Sequence, residues 1–371
     1  MRKIIKTEAE LDDIREQWRD FTSKVSGFEV FFSHEWIKTW FDYFIKNNKK
    51  RSLHIIVEVD ESKNEITSIV PLYREKFFYF FTSIRFISDN YSDYLGILTG
   101  GMKGFSAAAG AVEDLLVGGS GSPGIIYLKQ VPEEQALALK NLLAGKSGGI
   151  SLKMKESGDC YFISLPKSAG DYLKMFNSKQ RYNIIKRVKN AEEKGARFVS
   201  FDYNGRPELL SSHIKEFFDL HQKRWNEKGK EGVFRSKKIK EFFSDLFLRL
   251  HEAGFLKLSF LKIGDKSIAG QVCFDLNGKR EVCLPGFDPA YSSLHPGIVL
   301  TFYEIRDSTL KGLREFDFLK GGEGYKKGFL AVKRPNFKLY LFRNKFFFIL
   351  FRINTFLRNE IFSKIGLLTE F

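Results

Sequence analysis

Two stretches of the sequence decide the fold: DPAYSSLHPG at residues 288–297 and FDFLKGGEGYK at residues 316–326. In the first, a Pro-Gly pair opens a segment with helical apolar spacing. That segment leads into a short strand, which ends in a glycine-rich loop carrying an acid, a tyrosine and a lysine. Free backbone N–H groups and the dipole at a helix start favour an anion. The layout therefore indicates a ligand-binding enzyme, with a phosphate at the helix start and reactive side chains after the strand.

Length and composition limit the number of domains, the size of the core and the classes of partner. The chain has 371 residues, of which 43% are hydrophobic and 39 are phenylalanine, so we expect two or three domains with a sizeable core rather than disorder. The formal net charge is +15. A positive field of this size favours anionic partners, namely phosphorylated cofactors, nucleic acid, acidic glycans or anionic lipid, without choosing among them.

The cysteines and the first residues bear on the compartment. The three cysteines are Cys160, Cys273 and Cys283. So sparse a set predicts no disulfide framework and a reducing compartment. Asn277-Gly278 predicts a hairpin turn that places Cys273 opposite Val282, which turns Cys283 to the other face of the sheet. Residues 1–10 show no signal-peptide pattern, so we expect a cytoplasmic protein, with a position at the inner face of the membrane left open.

Periodicity divides the chain into residues 1–166, 167–343 and 344–371, with the first boundary at Pro166. Each of the first two parts shows helices, then antiparallel strands, then a helix and a strand, which predicts a mixed α+β fold. In the second part we predict helices at 178–194, 207–226, 236–253 and 297–311, and strands at 197–203, 255–263, 267–276, 279–286, 315–319 and 337–342.

An ordered series of short motifs carries a family resemblance. The motifs are FSHEW at 32–36, SDY at 92–94, HQKRW at 221–225, GFLKL at 254–258, AGQ at 269–271, GFDPAY at 286–291, PG at 296–297 and DF through GGEGYK at 317–326. In this order they resemble the BcsL/CelD-type acetyltransferases of the GNAT superfamily, up to about residue 343. The resemblance implies two tandem GNAT-like domains, akin to the Fem-type aminoacyl transferases, each a mixed, mostly antiparallel sheet flanked by helices.

The resemblance also implies where the donor binds. The first domain is expected to be degenerate and to face the acceptor, while the second holds acyl-CoA or aminoacyl-tRNA. GNAT enzymes hold the donor pyrophosphate on backbone amides at a helix start. The matching residues here are Ser292, Ser293, His295, Gly297 and Ile298. The segment has one glycine, and Pro296 lacks an N–H, so an ordinary helix start remains the alternative.

The loop after the last strand supplies the candidate catalytic residues. Glu323 or Asp317 is the expected base that deprotonates the acceptor. Tyr325 is expected to protonate the leaving thiolate, and Lys326 to stabilise the oxyanion. The alternatives are a salt bridge for Asp317, a solvated charge for Glu323, and a loop anchor for the Tyr-Lys pair, with the tyrosine packed and the lysine solvated.

Four further residues are candidates for substrate binding. Asp93 and Tyr94 would bind acceptor hydroxyls, with an Asx-type turn as the alternative. Arg224 would reach a phosphate, and Trp225 beside it would serve substrate binding or the core. The six histidines show no metal-ligand spacing and no Cys-x-x-Cys pair occurs, so we expect no metal.

Two basic segments suggest partners. Helix 178–194 is rich in Lys and Arg, and Tyr182, Ile185, Val188 and Ala191 mark its expected buried face. A solvated charged face is favoured there over contact with tRNA or an anionic glycan. The chain lacks heptads long enough for the coiled-coil arm of Fem-type enzymes, which favours acyl-CoA as the donor. The tail predicts an amphipathic helix over 344–365 that either lies on an anionic membrane or packs on protein.

These observations favour an acyltransferase. It would move an acyl group, acetyl from acetyl-CoA in the first instance, directly to an amine or hydroxyl of a sugar or envelope polysaccharide precursor. One alternative is an aminoacyl-tRNA-dependent, Fem-like transferase acting on a cell-wall precursor, the only reading in which nucleic acid is a partner of the enzyme. The other is a non-catalytic basic adaptor that binds membrane or nucleic acid.

Overall fold

The computed structural model describes residues 1–77, 81–118, 122–143 and 151–352. The helices are α1 (Glu8–Asp13), α2 (Arg15–Lys24), α3 (His34–Phe44), α4 (Met102–Val117), α5 (Glu133–Leu143), α6 (Ala169–Lys174), α7 (Ser178–Glu193), α8 (Pro207–Glu227), α9 (Lys237–Glu252), α10 (Pro296–Leu310) and α11 (Gly324–Gly328). The strands are β1 (Arg2–Ile5), β2 (Arg51–Leu53), β3 (Ile55–Asp60), β4 (Glu65–Val70), β5 (Leu72–Phe77), β6 (Phe81–Phe86), β7 (Leu98–Thr99), β8 (Ile125–Pro132), β9 (Ser151–Ser164), β10 (Ala196–Ser200), β11 (Leu256–Ile263), β12 (Lys266–Leu276), β13 (Lys279–Phe287), β14 (Glu315–Lys320) and β15 (Val332–Phe342).

The chain forms two compact units that are not its sequence halves. The first comprises Met1–Gly27, Phe44–Ser157 and the chain from Asn336, and the second comprises Phe28–Tyr43 and Gly158–Pro335. These units cut the chain at places other than the predicted boundary at Pro166. Helix α3 falls in the second unit because its Trp36 packs edge-on against Phe274 of β12, with ring centroids 6.0 Å apart. The acceptor and donor roles assigned to the two predicted domains stay predictions.

The first unit contains two sheets. One has the strand order β1-β3-β4-β7 and is antiparallel throughout. The other has the order β15-β8-β6-β5-β2. Its one parallel pair joins residues 83–85 of β6 to residues 125–127 of β8, and α4 lies in the connection between these strands.

The second unit repeats this arrangement on a longer sheet of order β10-β11-β12-β13-β14-β9. Neighbouring strands are antiparallel except for β13 and β14, which pair in parallel over residues 279–281 and 315–317. Helix α10 lies in the crossover between them. The predicted fold class, a mixed α+β fold with mostly antiparallel sheets flanked by helices, is confirmed.

Helices cover both faces of the second sheet. On one face α8 approaches β13 so closely that a Cβ added at Gly286 would lie 2.5 Å from the backbone nitrogen of His221. Only glycine allows this approach. On the other face Val299 and Leu300 of α10 share a core cluster with Ala191 of α7. The sheet thus holds the end of α8 against β13 and, on the opposite face, the start of α10.

The predicted hairpin is confirmed in detail. Asn277 and Gly278 both have positive φ, at 49° and 77°, as a two-residue hairpin turn requires. Cys273 pairs with Val282 as expected. The register then shifts, so that Val272 faces Leu284 and the intervening Cys283 is the extra residue of a bulge. None of the three cysteines, all of which lie in the described ranges, forms a disulfide.

The predicted buried face of helix 178–194 is wrong in part. Tyr182 and Ile185 are 62% and 45% exposed, whereas Ile184 and Ala191 are buried. The apolar residues of this helix form two overlapping stripes that share Val188 and Ala191. The sheet takes the stripe that includes Ile184, which turns the other toward solvent.

The structure describes only the first part of the predicted tail helix, residues 344–352. Residues 345–352 are helical, and residues 353–365 of the predicted helix lie outside the described residues. Within the described part of the chain, no helix combines the length and the apolar character that a membrane span requires.

Candidate functional site

The site begins where β13 and β14 separate. Their parallel pairing ends at Glu281 and Asp317, yet β13 runs on to Phe287 and β14 to Lys320. On its other edge β13 stays paired with β12 as far as Phe287. From Val282 onward, therefore, one edge of β13 faces a gap that no described strand fills. Backbone N–H and C=O groups along such an edge are available to an extended ligand.

The start of α10 lies at the open end of this gap. His295 has a left-handed backbone (φ 50°) that ends the 3-10 turn Pro289–Leu294 and directs the chain into the helix. Ile298 and Val299 donate to the His295 carbonyl at 2.9 and 3.1 Å. The Gly297 N–H makes no such bond to a described residue. It is placed at the positive end of the helix dipole, where an anion is favoured.

The predicted donor residues differ in exposure. Ser292, Ser293 and His295 are exposed, and Gly297 and Ile298 are half-buried. A Cβ added at Gly297 would lie 3.6 Å from the Phe287 ring, an ordinary contact that leaves room for alanine. Burial and the nearby charge of Arg187 on α7 lower the pKa of His295, so its imidazole is neutral at neutral pH.

Arg224 lies at the same open end, brought there by α8. Its Nη1 donates to the Pro285 carbonyl at 3.0 Å, and its guanidinium lies 5.6 Å from the centre of the Phe287 ring. Its Nε is buried without a hydrogen-bond partner. Since Phe287 also contacts the position of Gly297, Arg224 and the start of α10 flank one ring. A buried donor with no partner at this place suits an anionic ligand.

Trp225 has a packing role in this structure. Its Nε1 donates to His221 Nε2 at 2.9 Å. Burial, reinforced by the charge of Arg224, lowers the pKa of His221 to about 3, so this imidazole stays neutral and can accept the bond. The Trp-His pair thus fixes the end of α8 that carries Arg224.

Lys326 is buried and holds the glycine loop together. Its ammonium donates to the carbonyl oxygens of Phe318, Leu319, Lys320 and Gly321 at 3.0–3.3 Å and pairs with Glu323 Oε2 at 3.0 Å. An ammonium has three N–H donors, so these acceptors use all of them. The lysine therefore caps the end of β14. It is an anchor as one alternative supposed, although it is buried rather than solvated.

The charge of Arg224 acts on the pKa values of Glu323 and Tyr325. Burial favours the neutral form of Glu323, but Lys326 and Arg224 outweigh it and lower its pKa, so this carboxylate is ionised and weakly basic. Burial and the Glu323 charge raise the pKa of Tyr325 to about 12. Tyr325 therefore keeps its proton at neutral pH and is able to give it to a leaving group. The structure thus brings together three of the predicted residues from two distant segments.

Asp317 is fully buried and paired. Its Oδ1 accepts from the Leu319 N–H at 2.7 Å, and its Oδ2 accepts from Arg334 at 3.1 Å. These are the contacts of the salt-bridge alternative. As a base it would have to release a guanidinium first.

Glu281, the residue paired with Asp317, was missed by the sequence analysis. Its side chain is fully buried, and neither carboxyl oxygen has a hydrogen-bond partner. Lys279 is 3.7 Å away. Burial first, and then the adjacent Glu29, raise the pKa of Glu281 well above its usual range, with Lys279 offsetting part of this effect. A buried carboxyl without a hydrogen-bond partner, at the point where the strands part, is a third candidate base beside Glu323 and Asp317.

A weak signal for Glu281 is present in the sequence. It follows the Asn-Gly turn in the run KREV, and charges beside a turn are usually solvated. Strand alternation turns Arg280 and Glu281 to opposite faces of the sheet, and both are fully buried. The apolar run that follows the turn indicates a buried strand, and this could have marked its charges as unusual.

Asp93 and Tyr94 belong to the first unit. The Asp93 carbonyl accepts from Asn336 Nδ2 at 2.6 Å, and Tyr94 is buried. Their predicted contact with an acceptor stays a prediction. So does the absence of a metal, although the described ranges hold no group of three or more His, Cys, Asp or Glu side chains arranged for one.

Comparisons with known proteins agree with this geometry. Residues 178–327 match the model of the acetyltransferase (GNAT) domain. No curated protein matches the sequence. The crystal structure of FemX is similar with a TM-score of 0.62 at 12% identity, over 91% of this chain and 96% of that chain. The C-terminal domain of a putative lysylphosphatidylglycerol synthetase from Agrobacterium fabrum gives 0.54 at 10% identity, over 89% and 92%.

A conserved protein of unknown function from Bacteroides thetaiotaomicron is also similar, with a TM-score of 0.59 at 11% identity over 92% of this chain and 100% of that chain. At these identities the likeness to solved structures is one of fold. The finer resemblance to BcsL/CelD-type enzymes stays a prediction. From residue 178 to residue 327, the chain is similar to an acetyltransferase domain of the GNAT type.

Proposed function

We propose that this protein transfers an acyl group from acyl-CoA, with acetyl-CoA as the first choice, to an amine or hydroxyl of a sugar or an envelope polysaccharide precursor. The observation that carries the proposal is the separation of β13 from β14 beyond Glu281 and Asp317, beside the start of α10. A pantetheine arm can hydrogen-bond along the free edge of β13. Its pyrophosphate would then reach the amide of Gly297 and the guanidinium of Arg224.

The reaction is a direct transfer. The acceptor nitrogen or oxygen attacks the thioester carbonyl and gives its proton to a carboxylate. We assign this step to Glu281 because it lies where the strands part, has no hydrogen-bond partner and has its Lys279 ammonium 3.7 Å away, whereas Asp317 and Glu323 have cations at 3.1 and 3.0 Å. The C–S bond then breaks, and the thiolate takes the proton of Tyr325. Water returns a proton to the tyrosinate, and Glu281 releases its own to solvent.

Calorimetric titration with acetyl-CoA tests the donor site. We expect wild type and Gly297→Ala to bind, because an added Cβ makes only an ordinary contact with Phe287. Gly297→Trp should not bind, since the indole would cover the start of α10. A thermal melt of each variant checks its fold. Loss of binding in the alanine variant as well would contradict an open helix start.

A second variant keeps the test decisive if Gly297→Trp unfolds. Arg224→Gln removes the charge beside Phe287 and should weaken acetyl-CoA binding about tenfold or more, the usual loss for a charge-assisted bond. Binding equal to wild type in a folded Arg224→Gln variant would remove this residue from the site. Failure of wild type to bind any acyl-CoA would reject acyl-CoA as the donor.

An aminoacyl-tRNA donor is the second candidate. It is favoured by the FemX-like fold and by the basic face of α7, where Lys186 is exposed and Arg187 is close enough to lower the pKa of His295 at the start of α10. Under this reading, binding of charged tRNA falls steeply with salt, and Lys186→Gln reduces the slope by about one. The acyl-CoA reading predicts no such binding.

The acceptor is tested last. Purified protein with acetyl-CoA is offered amino sugars and neutral sugars in separate reactions, and mass spectrometry looks for the addition of one acetyl group. Product with sugars in wild type, and none in Glu281→Gln, supports the sugar acceptor. If acetyl-CoA binds but no sugar is acetylated, the acceptor class is wrong and the donor assignment stands.

A further inference from the structure

A second pocket lies along the later turns of α10, away from the donor site. Its volume is ≈ 560 Å³, within the range of small-ligand sites. Its walls come from the end of α7, from β10 and from α10, namely Glu192, Gly195, Ala196, Arg197, Phe198, Tyr303, Arg306, Asp307 and Leu310. At 1.5 Å per residue, these positions on α10 are roughly 9 to 20 Å from Gly297 along the helix.

The pocket follows the edge of the sheet. β10 pairs only with β11 and is the first strand in the sheet order, so its other edge has no described strand. Consecutive residues 195–198 line the pocket, as expected when a cavity runs along a strand edge. Backbone N–H and C=O groups of alternate residues there are open to a ligand.

One carboxylate of the pocket is already neutralised. Asp307 Oδ2 accepts from Arg280 at 2.8 Å and pairs with Lys257 at 3.0 Å and Lys311 at 3.5 Å. Burial opposes its ionisation, but Lys257 and Arg280 outweigh burial and lower the pKa of Asp307 to about 2. Arg280 and Lys311 also pair with Asp275, and Arg280 pairs with Glu304. Three cations and three carboxylates thus balance beneath the pocket.

The two arginines of the pocket are available to bind an anion. Arg197 and Arg306 are exposed, and neither forms an ion pair with a described residue. The remaining carboxylate, Glu192, accepts the hydroxyl of Tyr303. With the network below balanced, the wall keeps an excess of positive charge at the two guanidinium groups.

The pocket also has a flat apolar wall. The rings of Phe198 and Tyr303 stack with centroids 5.5 Å apart and an interplanar angle of 18°. Leu310 extends the wall and is 74% exposed, a high value for a large apolar side chain. Aromatic surface favours a planar ring, and guanidinium groups favour phosphate or carboxylate.

We propose that this pocket binds a small ligand that combines a planar ring with an anionic group, such as a nucleoside monophosphate. The ring packs on the wall of Phe198 and Tyr303, and the anion lies between Arg197 and Arg306. The site is separate from the donor site, so that both can be filled at once.

The test uses 1-naphthyl phosphate as the probe, with inorganic phosphate and 1-naphthol as its two halves, in calorimetric titrations of the full chain. We expect the intact probe to bind at least tenfold more tightly than either half. Saturating acetyl-CoA should leave this affinity unchanged. Arg306→Gln and Arg197→Gln should each weaken it about tenfold, and Tyr303→Leu should remove the advantage over phosphate.

Lys167→Gln is the matched control, because it removes one exposed positive charge of the same unit outside the pocket and should change nothing. Arg197 and Arg306 are exposed, so their variants should fold, which a thermal melt confirms. Three results would overturn the proposal: no binding of the probe, equal binding by the arginine variants, or displacement of the probe by acetyl-CoA, which would assign it to the donor site.

Discussion

The two units contain the same strand arrangement but differ in how they treat a buried charge. Each has one parallel strand pair of three residue pairs, with a helix in the crossover. In the first unit the pair ends at Arg85. Its guanidinium donates to Asp89 at 2.6 Å and to Glu75 at 3.0 Å and lies 5.4 Å from the centre of the Tyr127 ring.

In the second unit the corresponding pair ends at Glu281, whose carboxyl has no hydrogen-bond partner. A buried polar group without a partner costs stability, and such groups persist mainly where a function retains them. The equivalent positions therefore differ in hydrogen bonding: Arg85 is hydrogen-bonded in the first unit, whereas the carboxyl of Glu281 is not in the second. Under the proposed function, the proton acceptor belongs to the second unit, and the equivalent position of the first unit holds a hydrogen-bonded ion pair.

The largest expected effect is a loss of stability when the ion pairs of Arg85 in the first unit are removed. Arg85→Met leaves Asp89, whose side chain is 1% exposed, without its closest cation. Removing one partner of a buried ion pair costs about 3 to 5 kcal/mol, and Arg51 and Lys129, which also contact Glu75 and Asp89, favour the lower end. Urea unfolding should show this loss.

The control for Arg85→Met is Lys24→Met, which removes an exposed ion pair with Asp20 and should leave stability near that of wild type. The acyltransfer rate per folded molecule should be unchanged in both variants. A fall in that rate with stability unchanged would place Arg85 in the active site and reverse the comparison.

The next largest effect is expected on the turnover number, from a substitution of Glu281 in the second unit. Glu281→Gln keeps the shape of the side chain but removes the proposed proton acceptor, so the turnover number should fall about 100-fold or more. Stability should not fall, because Lys279 keeps its ion pair with Glu29 and the buried amide carries no charge that would have to be desolvated. Steady-state kinetics and urea unfolding on the same preparation separate the two effects.

Two variants serve as references for Glu281→Gln. Glu208→Gln, in the first turn of α8, should leave both rate and stability near wild type. Glu323→Gln removes the ion pair with Lys326 and tests the other carboxylate. If Glu323→Gln abolishes turnover while Glu281→Gln retains it, Glu323 is the base. The missing hydrogen bonds of the Glu281 carboxyl would then have no catalytic explanation.

A smaller effect is expected from Tyr325→Phe. A thiol has a pKa near 8.5, so a thiolate leaves without much help at neutral pH, and losing the acid should slow turnover only about tenfold. KM for acetyl-CoA should change little. The rate deficit should grow with a donor whose leaving group is an alkoxide instead of a thiolate. A deficit that does not depend on the leaving group would indicate that Tyr325 only packs the loop.

Much of the second unit was predictable because its signals are local. The Asn277-Gly278 turn sets the register of Cys273 and Val282, and Pro296 marks the start of α10 through its fixed φ. Asp317 was selected as a charge within the predicted strand, and Glu323 and Tyr325 because they lie in the glycine-rich loop after it; their catalytic roles stay predictions. These features depend on residues close in sequence.

The rest depends on contacts between distant segments. Lys326 was expected either to stabilise the oxyanion or to lie in solvent, but it is buried by the carbonyl oxygens at the end of β14, a placement that no local pattern encodes. Arg224 lies against Phe287 only because Gly286 admits α8 so closely. Glu281 looks like a turn residue until β14 pairs beside it. Helix α3 joins the second unit through an aromatic contact that the boundary at Pro166 does not anticipate.

The smallest effect, and the one that compares the two units most directly, is the pH dependence of stability. In the first unit, burial favours the neutral form of Glu75, but Arg51 and Arg85 outweigh it and lower its pKa. Its contribution is therefore present above the pKa of the unfolded chain, near 4.3, and is lost as pH falls through the folded value. Glu75→Gln should lower the melting temperature at neutral pH, and the difference should vanish in acid.

Glu281 should behave in the opposite way. Its folded pKa is raised, so the neutral carboxyl carries no penalty below the unfolded pKa, and stability is lost as pH rises through the folded value. Glu281→Gln removes this loss, so its melting temperature should exceed that of wild type at about pH 8 and match it at about pH 4. Thermal melts over this range give the sign for each variant. Two differences of the same sign would mean that Glu281 has a partner when folded, and the two strand pairs would then be equally satisfied.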